Sequence, residues 1–291
     1  MNASLKRLAF AAALCVPLAA WSGTFTDTYS GSGGTSSCLT SYKLRGNEPS
    51  SGKHPVFLYM VGTTETYDNA QAMAAVNEMA AKGFVAAAVE YNSGTFGTCS
   101  QIGQKAACIF KPSSSASAVS KLCARATADC SKGVVVAGFS QGSVIATTAK
   151  NYDSRVRAAY GMGAHTTYSV YSLSSCMTAG TYTLPTSNLR IVNGETDTFP
   201  GGTPATVRAS SQNVTGKNCG SSAYNCQNSN GSGWIMVRGS QVGDLSADHC
   251  YQRASGDCLG LQDVLDNGWR NGSDPWELKA NLTWLAGFAT P

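Results

Sequence analysis

The chain has 291 residues, 43% of them hydrophobic and 13% charged, with a formal net charge of +4. That composition excludes a disordered or collagen-like chain and leaves enough apolar material for one large core. No run of Lys or Arg marks a nucleic-acid surface.

Residues 1–22 read as a secretory signal. Lys6 and Arg7 form a charged start, and Leu8 to Ala20 is an apolar centre too short to span a bilayer. Ala20-Trp21-Ser22 gives a small-x-small cleavage site before Gly23, and cleavage after Ala20 fits nearly as well. Loss of Lys6 and Arg7 leaves a charge of about +2, which suits a neutral or polymeric substrate better than a polyanion. Nothing later is long and apolar enough to cross a membrane as a helix. Residues 23–291 are expected to form a single domain, extracytoplasmic and monomeric.

Eleven cysteines are present. Cys15 lies in the signal, and the other ten form an even set, which in an exported chain predicts five disulfides. Zinc would need tight Cys-x2-Cys or His spacings, and none occurs. The short loops Cys219–Cys226 and Cys250–Cys258 are the first pairings to expect, with Cys99–Cys108 after them. The remaining connectivity stays open.

Gly23 to Gly52 is rich in Ser, Thr and Gly and reads as edge strands and loops. Pro55 to Val61 is a buried strand ending in Gly62-Thr63-Thr64-Glu65-Thr66. A helix is predicted from about Asp68 to Lys82, with Met73, Val76 and Met79 or Ala80 on its apolar stripe and Gly83 ending it. Phe84 to Val89 is the next buried strand. A long loop holding Cys99 and Cys108 is expected before a helix from Ser113 to about Ala126. Val134, Val135 and Val136 then begin a strand buried on both faces. Val156 to Met162, Leu189 to Asn193 and Trp234 to Val237 are further strands. A short helix is expected after Pro204, and two closing helices at Leu261 to Gly268 and Pro275 to Phe288. Strands alternating with helices predict an α/β fold, a mainly parallel sheet with helices on both faces.

Gly138-Phe139-Ser140-Gln141-Gly142 follows the central strand and precedes a run of helix formers. It fits G-x-S-x-G, in which a strained turn exposes a nucleophilic serine at the head of a helix. Its glycines let strand and helix approach closely. A serine nucleophile needs a base and the base an orienter. Of three histidines, His54 precedes its strand, at the wrong end of the sheet. His249 follows the last core strand and completes the order Ser140, Asp197, His249, that of α/β hydrolases. His165 is the alternative base, otherwise a pocket or surface residue near the site. Glu195 and Asp248 are the alternative acids. The oxyanion is expected to meet the N–H of Gln141 and the N–H or hydroxyl of Thr63.

Gly-Thr-Thr-Glu-Thr at 62–66 followed by Asn69, and Gly-Phe-Ser-Gln-Gly at 138–142, resemble the corresponding segments of cutinases. The resemblance implies that Thr63 and Gln141 build the oxyanion hole. In cutinases the acid lies in a small disulfide loop just before the histidine, whereas here His249 adjoins the cysteine of a possible Cys250–Cys258 loop. Ala80-Ala81-Lys82-Gly83-Phe84-Val85 is similar to the helix-to-strand passage of dienelactone-hydrolase-like and bacterial polyesterase proteins. Together these imply an α/β-hydrolase fold and a secreted serine carboxylic-ester hydrolase, working without metal or cofactor on a possibly polymeric ester. The alternatives are an esterase for cell-wall acetyl or feruloyl groups, and a hydrolase fold kept as a non-catalytic binding module.

Overall fold

The computed structural model describes residues 21–31, 38, 41–111, 114–255, 258 and 264–290. The apolar segment predicted as a signal lies outside the described residues, except that Trp21 and Ser22 already belong to the first strand. In chain order the elements are β1 (Trp21–Tyr29), β2 (Tyr42–Pro49), β3 (Val56–Met60), α1 (Ala70–Ala81), β4 (Val85–Val89), α2 (Cys99–Phe110) and α3 (Ala118–Cys123). Next come β5 (Val134–Phe139), α4 (Gln141–Thr148), β6 (Val156–Met162), β7 (Thr167–Tyr168), β8 (Tyr171–Ser172) and α5 (Ser174–Met177). Then follow β9 (Leu189–Gly194), α6 (Pro204–Thr215), β10 (Asn225–Gln227), β11 (Gly233–Val237), α7 (Asn267–Asn271) and α8 (Leu278–Ala286).

Nine strands form one sheet in the order β1-β2-β4-β3-β5-β6-β9-β11-β10. The run from β4 to β11 is parallel throughout. Antiparallel β1 and β2 close one edge and β10 the other. Every residue of β3, β4, β5, β9 and β11 is buried, so both faces are covered, as continuous apolar runs demand. The α1 helix packs on α8 and on β3 and β4, while α4 packs on β5 and β6 with α2 behind it. The sheet order reverses at β3: the chain moves outward to β4, then returns to β5 on the other side. Ligands in open α/β sheets bind at such a switch point, beyond the strand C-termini. Thr63, after β3, and Ser140, after β5, flank it.

Four helical expectations need correction. The long loop carrying Cys99 and Cys108 is the helix α2. Thr98 and Gln101 close a capping box at its start, and the run up to Phe110 buries Ile102, Ala106 and Ile109. The helix expected from Ser113 shrinks to α3, with Ser117 as its N-cap. Of the helix expected over Leu261 to Gly268, residues 261–263 lie outside the described residues, and α7 begins at Asn267, where Asp266 caps it by accepting from Trp269 N–H at 2.8 Å. The helix after Pro204 runs twelve residues to Thr215.

Cys219–Cys226 and Cys250–Cys258 are bonded as expected. Cys99–Cys108 is not, because a helix now separates those two residues. Cys99 bonds Cys176 and Cys108 bonds Cys38, while Cys123 bonds Cys130. Among the described residues no helix is long and apolar enough to cross a membrane.

Candidate active site

Ser140 sits between β5 and α4 with φ 51° and ψ −119°, the conformation of the first central residue of a type II′ turn. A residue other than glycine is strained there. The turn holds because its N–H donates to Met162 O at 2.8 Å and because Gly142 lets α4 lie against β3. A Cβ on Gly142 would stand 2.1 Å from the Met60 carbonyl oxygen.

Asp197 and His249 come from the neighbouring strand ends. Gly194, the last residue of β9, makes room for the histidine loop: a Cβ there would lie 2.0 Å from Asp248 O. Asp197 is fully buried, and its Oδ2 is 2.5 Å from His249 Nδ1. Its Oδ1 accepts from Phe199 N–H at 3.0 Å. A carboxylate only accepts, so His249 carries its proton on Nδ1 and presents Nε2 as a lone pair. That Nε2 is buried and has no hydrogen-bond partner among the described residues. Phe139 and Phe199 pack on the ring at centroid distances of 5.0 and 4.4 Å.

His165 is not the pocket residue the sequence allowed. It is 0% exposed and donates from Nε2 to the same Asp197 oxygen at 2.7 Å. Its Nδ1 faces Ser210 Oγ at 3.3 Å. The α6 helix, which brings Ser210, covers it. Both ring nitrogens are engaged, so His165 is the second partner of the acid. Burial works to raise the Asp197 pKa, but the two imidazoles and their hydrogen bonds outweigh it and hold the carboxyl well below the usual range. The three donor sets of His165, Asp197 and His249 lie within 4.8 Å of one another, close enough for a metal ion. With each imidazole donating to Asp197, they already satisfy one another as a hydrogen-bonded unit.

The alternative acids lie elsewhere. Glu195 accepts from Tyr224 Oη at 3.0 Å and from Gly239 N–H at 2.6 Å. Asp248 turns back to Cys250 N–H at 2.7 Å, and burial pushes its pKa up to about 6. His54 accompanies Ser51 at the opposite end of β3.

Ser140 and His249 border one cavity of about 290 Å³, with Thr63 on its wall. Phe96, Tyr168 and Phe199 make much of that wall apolar. The β7–β8 hairpin forms its rim, where Val170 is 89% exposed.

Thr63 and Gln141 do meet. Gln141 Nε2 donates to Thr63 Oγ1 at 2.9 Å and to Thr95 O at 2.9 Å. Its Oε1 accepts from Lys105 Nζ at 2.8 Å. Lys105 rises from α2 and is 5% exposed, and burial pulls its pKa down to about 8. Nothing in the sequence singled out Lys105, because it lies where a loop was expected.

A second connection was also missed. Glu65 accepts from Gly62 N–H at 2.7 Å and pairs with Arg253, whose Nη1 donates to Cys258 O at 3.0 Å. This buried ion pair ties the loop after β3 to the loop that carries His249. Arg253→Met strands the Glu65 carboxylate, so the variant should lose about 3–5 kcal/mol of unfolding free energy. Urea unfolding at pH 7 measures it.

No protein-family model and no curated protein matches the chain. Among solved structures, one described as DcsB in complex with its substrate analogue is 16% identical, with a TM-score of 0.38. The match covers 50% of this chain and 47% of that one, and at that level it carries no argument about fold or function.

Proposed function

We propose that the chain is a secreted serine hydrolase of carboxylic esters with an α/β-hydrolase fold. One observation carries this: a serine in a strained strand-to-helix turn borders the same cavity as a histidine whose Nδ1 is held by a buried carboxylate and whose Nε2 is unengaged. The five disulfides support an oxidising compartment.

In this mechanism His249 Nε2 takes the Ser140 proton as Oγ attacks the ester carbonyl. Asp197 keeps the ring in the required tautomer and stabilises the imidazolium. Charge on the tetrahedral oxygen is met by the Gln141 N–H, at the head of α4, and by Thr63. The tetrahedral centre collapses, the C–O bond to the alcohol breaks, and His249 returns the proton to the departing oxygen. Water, deprotonated by the same nitrogen, then releases the acid and restores Ser140. The largely apolar wall favours an apolar acyl group, and its aromatic rings keep an aromatic acid such as a feruloyl group in contention.

A fluorophosphonate probe tests the proposal. Stoichiometric labelling at Ser140, with turnover of a 4-nitrophenyl ester, is expected. A folded protein that neither labels nor turns over esters is a binding module instead.

A further inference from the structure

Thr63 has a hydroxyl on the cavity wall, and a hydroxyl can face an oxyanion only if its proton is free to point there. Gln141 Nε2 donates to Thr63 Oγ1 at 2.9 Å, so the oxygen accepts from the interior side. The hydroxyl donates to no described residue, which leaves its proton for the cavity. Had the amide been turned the other way, Gln141 Oε1 would accept that proton and withdraw it from the site.

The amide cannot turn easily, because its neighbours have fixed hydrogen-bond polarity. Lys105 Nζ has only donors as an ammonium, and it faces Oε1 at 2.8 Å. The Thr95 carbonyl only accepts, and it takes Nε2–H at 2.9 Å. Lys105 also donates to that carbonyl at 2.5 Å, so the backbone at Thr95 and the amide are held together. No ion pair among the described residues involves Lys105. A lysine 5% exposed without a carboxylate is costly, and the interactions it makes in return are with this amide and with the Thr95 carbonyl that the amide also meets. The helix that delivers it is stapled near both ends, by Cys99–Cys176 and Cys38–Cys108.

Given the esterase proposal above, we infer that Lys105 is a positioning residue for the oxyanion hole: through the Gln141 side chain it sets Thr63 Oγ1 as a hydrogen-bond acceptor inward and a donor toward the substrate oxyanion. Lys105 itself does not line the cavity. Its effect therefore passes through the Thr63 hydroxyl, and removing that hydroxyl should erase it.

The test is a double-mutant cycle on a soluble 4-nitrophenyl ester, with kcat and KM measured separately. Thr63→Val should lower kcat by about a hundredfold, the order seen when one oxyanion donor is lost. Lys105→Met should lower kcat by about tenfold with KM within about twofold, because the hydroxyl matters most when charge develops. In the Thr63→Val background Lys105→Met should change kcat by less than about twofold. A merely structural lysine would lower kcat equally in both backgrounds, and that result overturns the inference. So does a Lys105→Met enzyme with wild-type kcat. Where Lys105→Met fails to fold, Gln141→Met in the same two backgrounds reads the same coupling, since it keeps the backbone N–H. A wild-type protein that hydrolyses no ester fails at the earlier proposal, and this inference falls with it.

Discussion

Ser140→Ala should lower ester turnover by about 10⁶-fold, the scale of losing a serine nucleophile from an assembled triad. The fold should survive, since the turn depends on Ser140 N–H to Met162 O and on the absent side chain of Gly142, and alanine keeps the first and leaves the second alone. Ser140→Gly should be equally inactive but more stable. At φ 51° a side chain costs about 1–3 kcal/mol of strain. Glycine relieves it while losing about 0.5–1 kcal/mol through its freer unfolded chain. A net gain of about 1 kcal/mol in urea unfolding is expected. A glycine variant no more stable than wild type would show that the turn is unstrained. An alanine variant with near-wild-type turnover would remove Ser140 from the chemistry altogether.

The two histidines on Asp197 should separate cleanly. His249→Ala should lose turnover on the scale of the serine variant, about 10⁶-fold, because its Nε2 is the unengaged nitrogen of a ring that borders the same cavity as Ser140. His165→Ala should lose no more than about a hundredfold, the order expected when an intact base is slightly misplaced. It should instead destabilise the protein by about 3 kcal/mol, through a cavity and a lost buried hydrogen bond. Equal loss of turnover in both variants would mean that the acid works only with two imidazoles. Asp197→Asn should lower turnover by about 10⁴-fold through the wrong tautomer. It also has a pH signature. The Asp197 pKa is depressed in the folded protein, against about 3.9 in an unfolded chain. A depressed carboxyl stabilises the fold above the unfolded pKa, and that contribution fades as pH falls toward the folded value. The stability gap between wild type and Asp197→Asn should therefore be full at pH 6–7 and shrink below about pH 4. A gap constant from pH 7 to pH 3 would contradict it.

Local order was legible wherever one stretch of chain contained its own reason. Val134 to Val136, the Gly-x-Ser-x-Gly turn and the α1 stripe each needed only neighbours in sequence, because burial on both faces, a tight turn and helical periodicity are local patterns. The order Ser140, Asp197, His249 was readable because strands and chemistry-bearing residues alternate along the chain. The structure brings Asp197 and His249 together and sets Ser140 and His249 on one cavity. What the tertiary structure alone decided were contacts between residues remote in sequence. The α2 helix was expected as a loop although Ile102, Ala106 and Ile109 recur at helical spacing, and its position depends on packing against α4 and on bonds to Cys38 and Cys176. With α2 unseen, Lys105 had no address. His165 could be placed at a strand end but not turned, and it points to Asp197 because α6 covers it from the other side. The pairing of Glu65 with Arg253 joins loops at opposite ends of the chain, and hydrogen-bond polarity at Thr63 exists only once Lys105, Thr95 and Gln141 are in contact. Composition and motif determine which residues can do chemistry; burial and the fixed polarity of buried donors and acceptors determine which way each one faces.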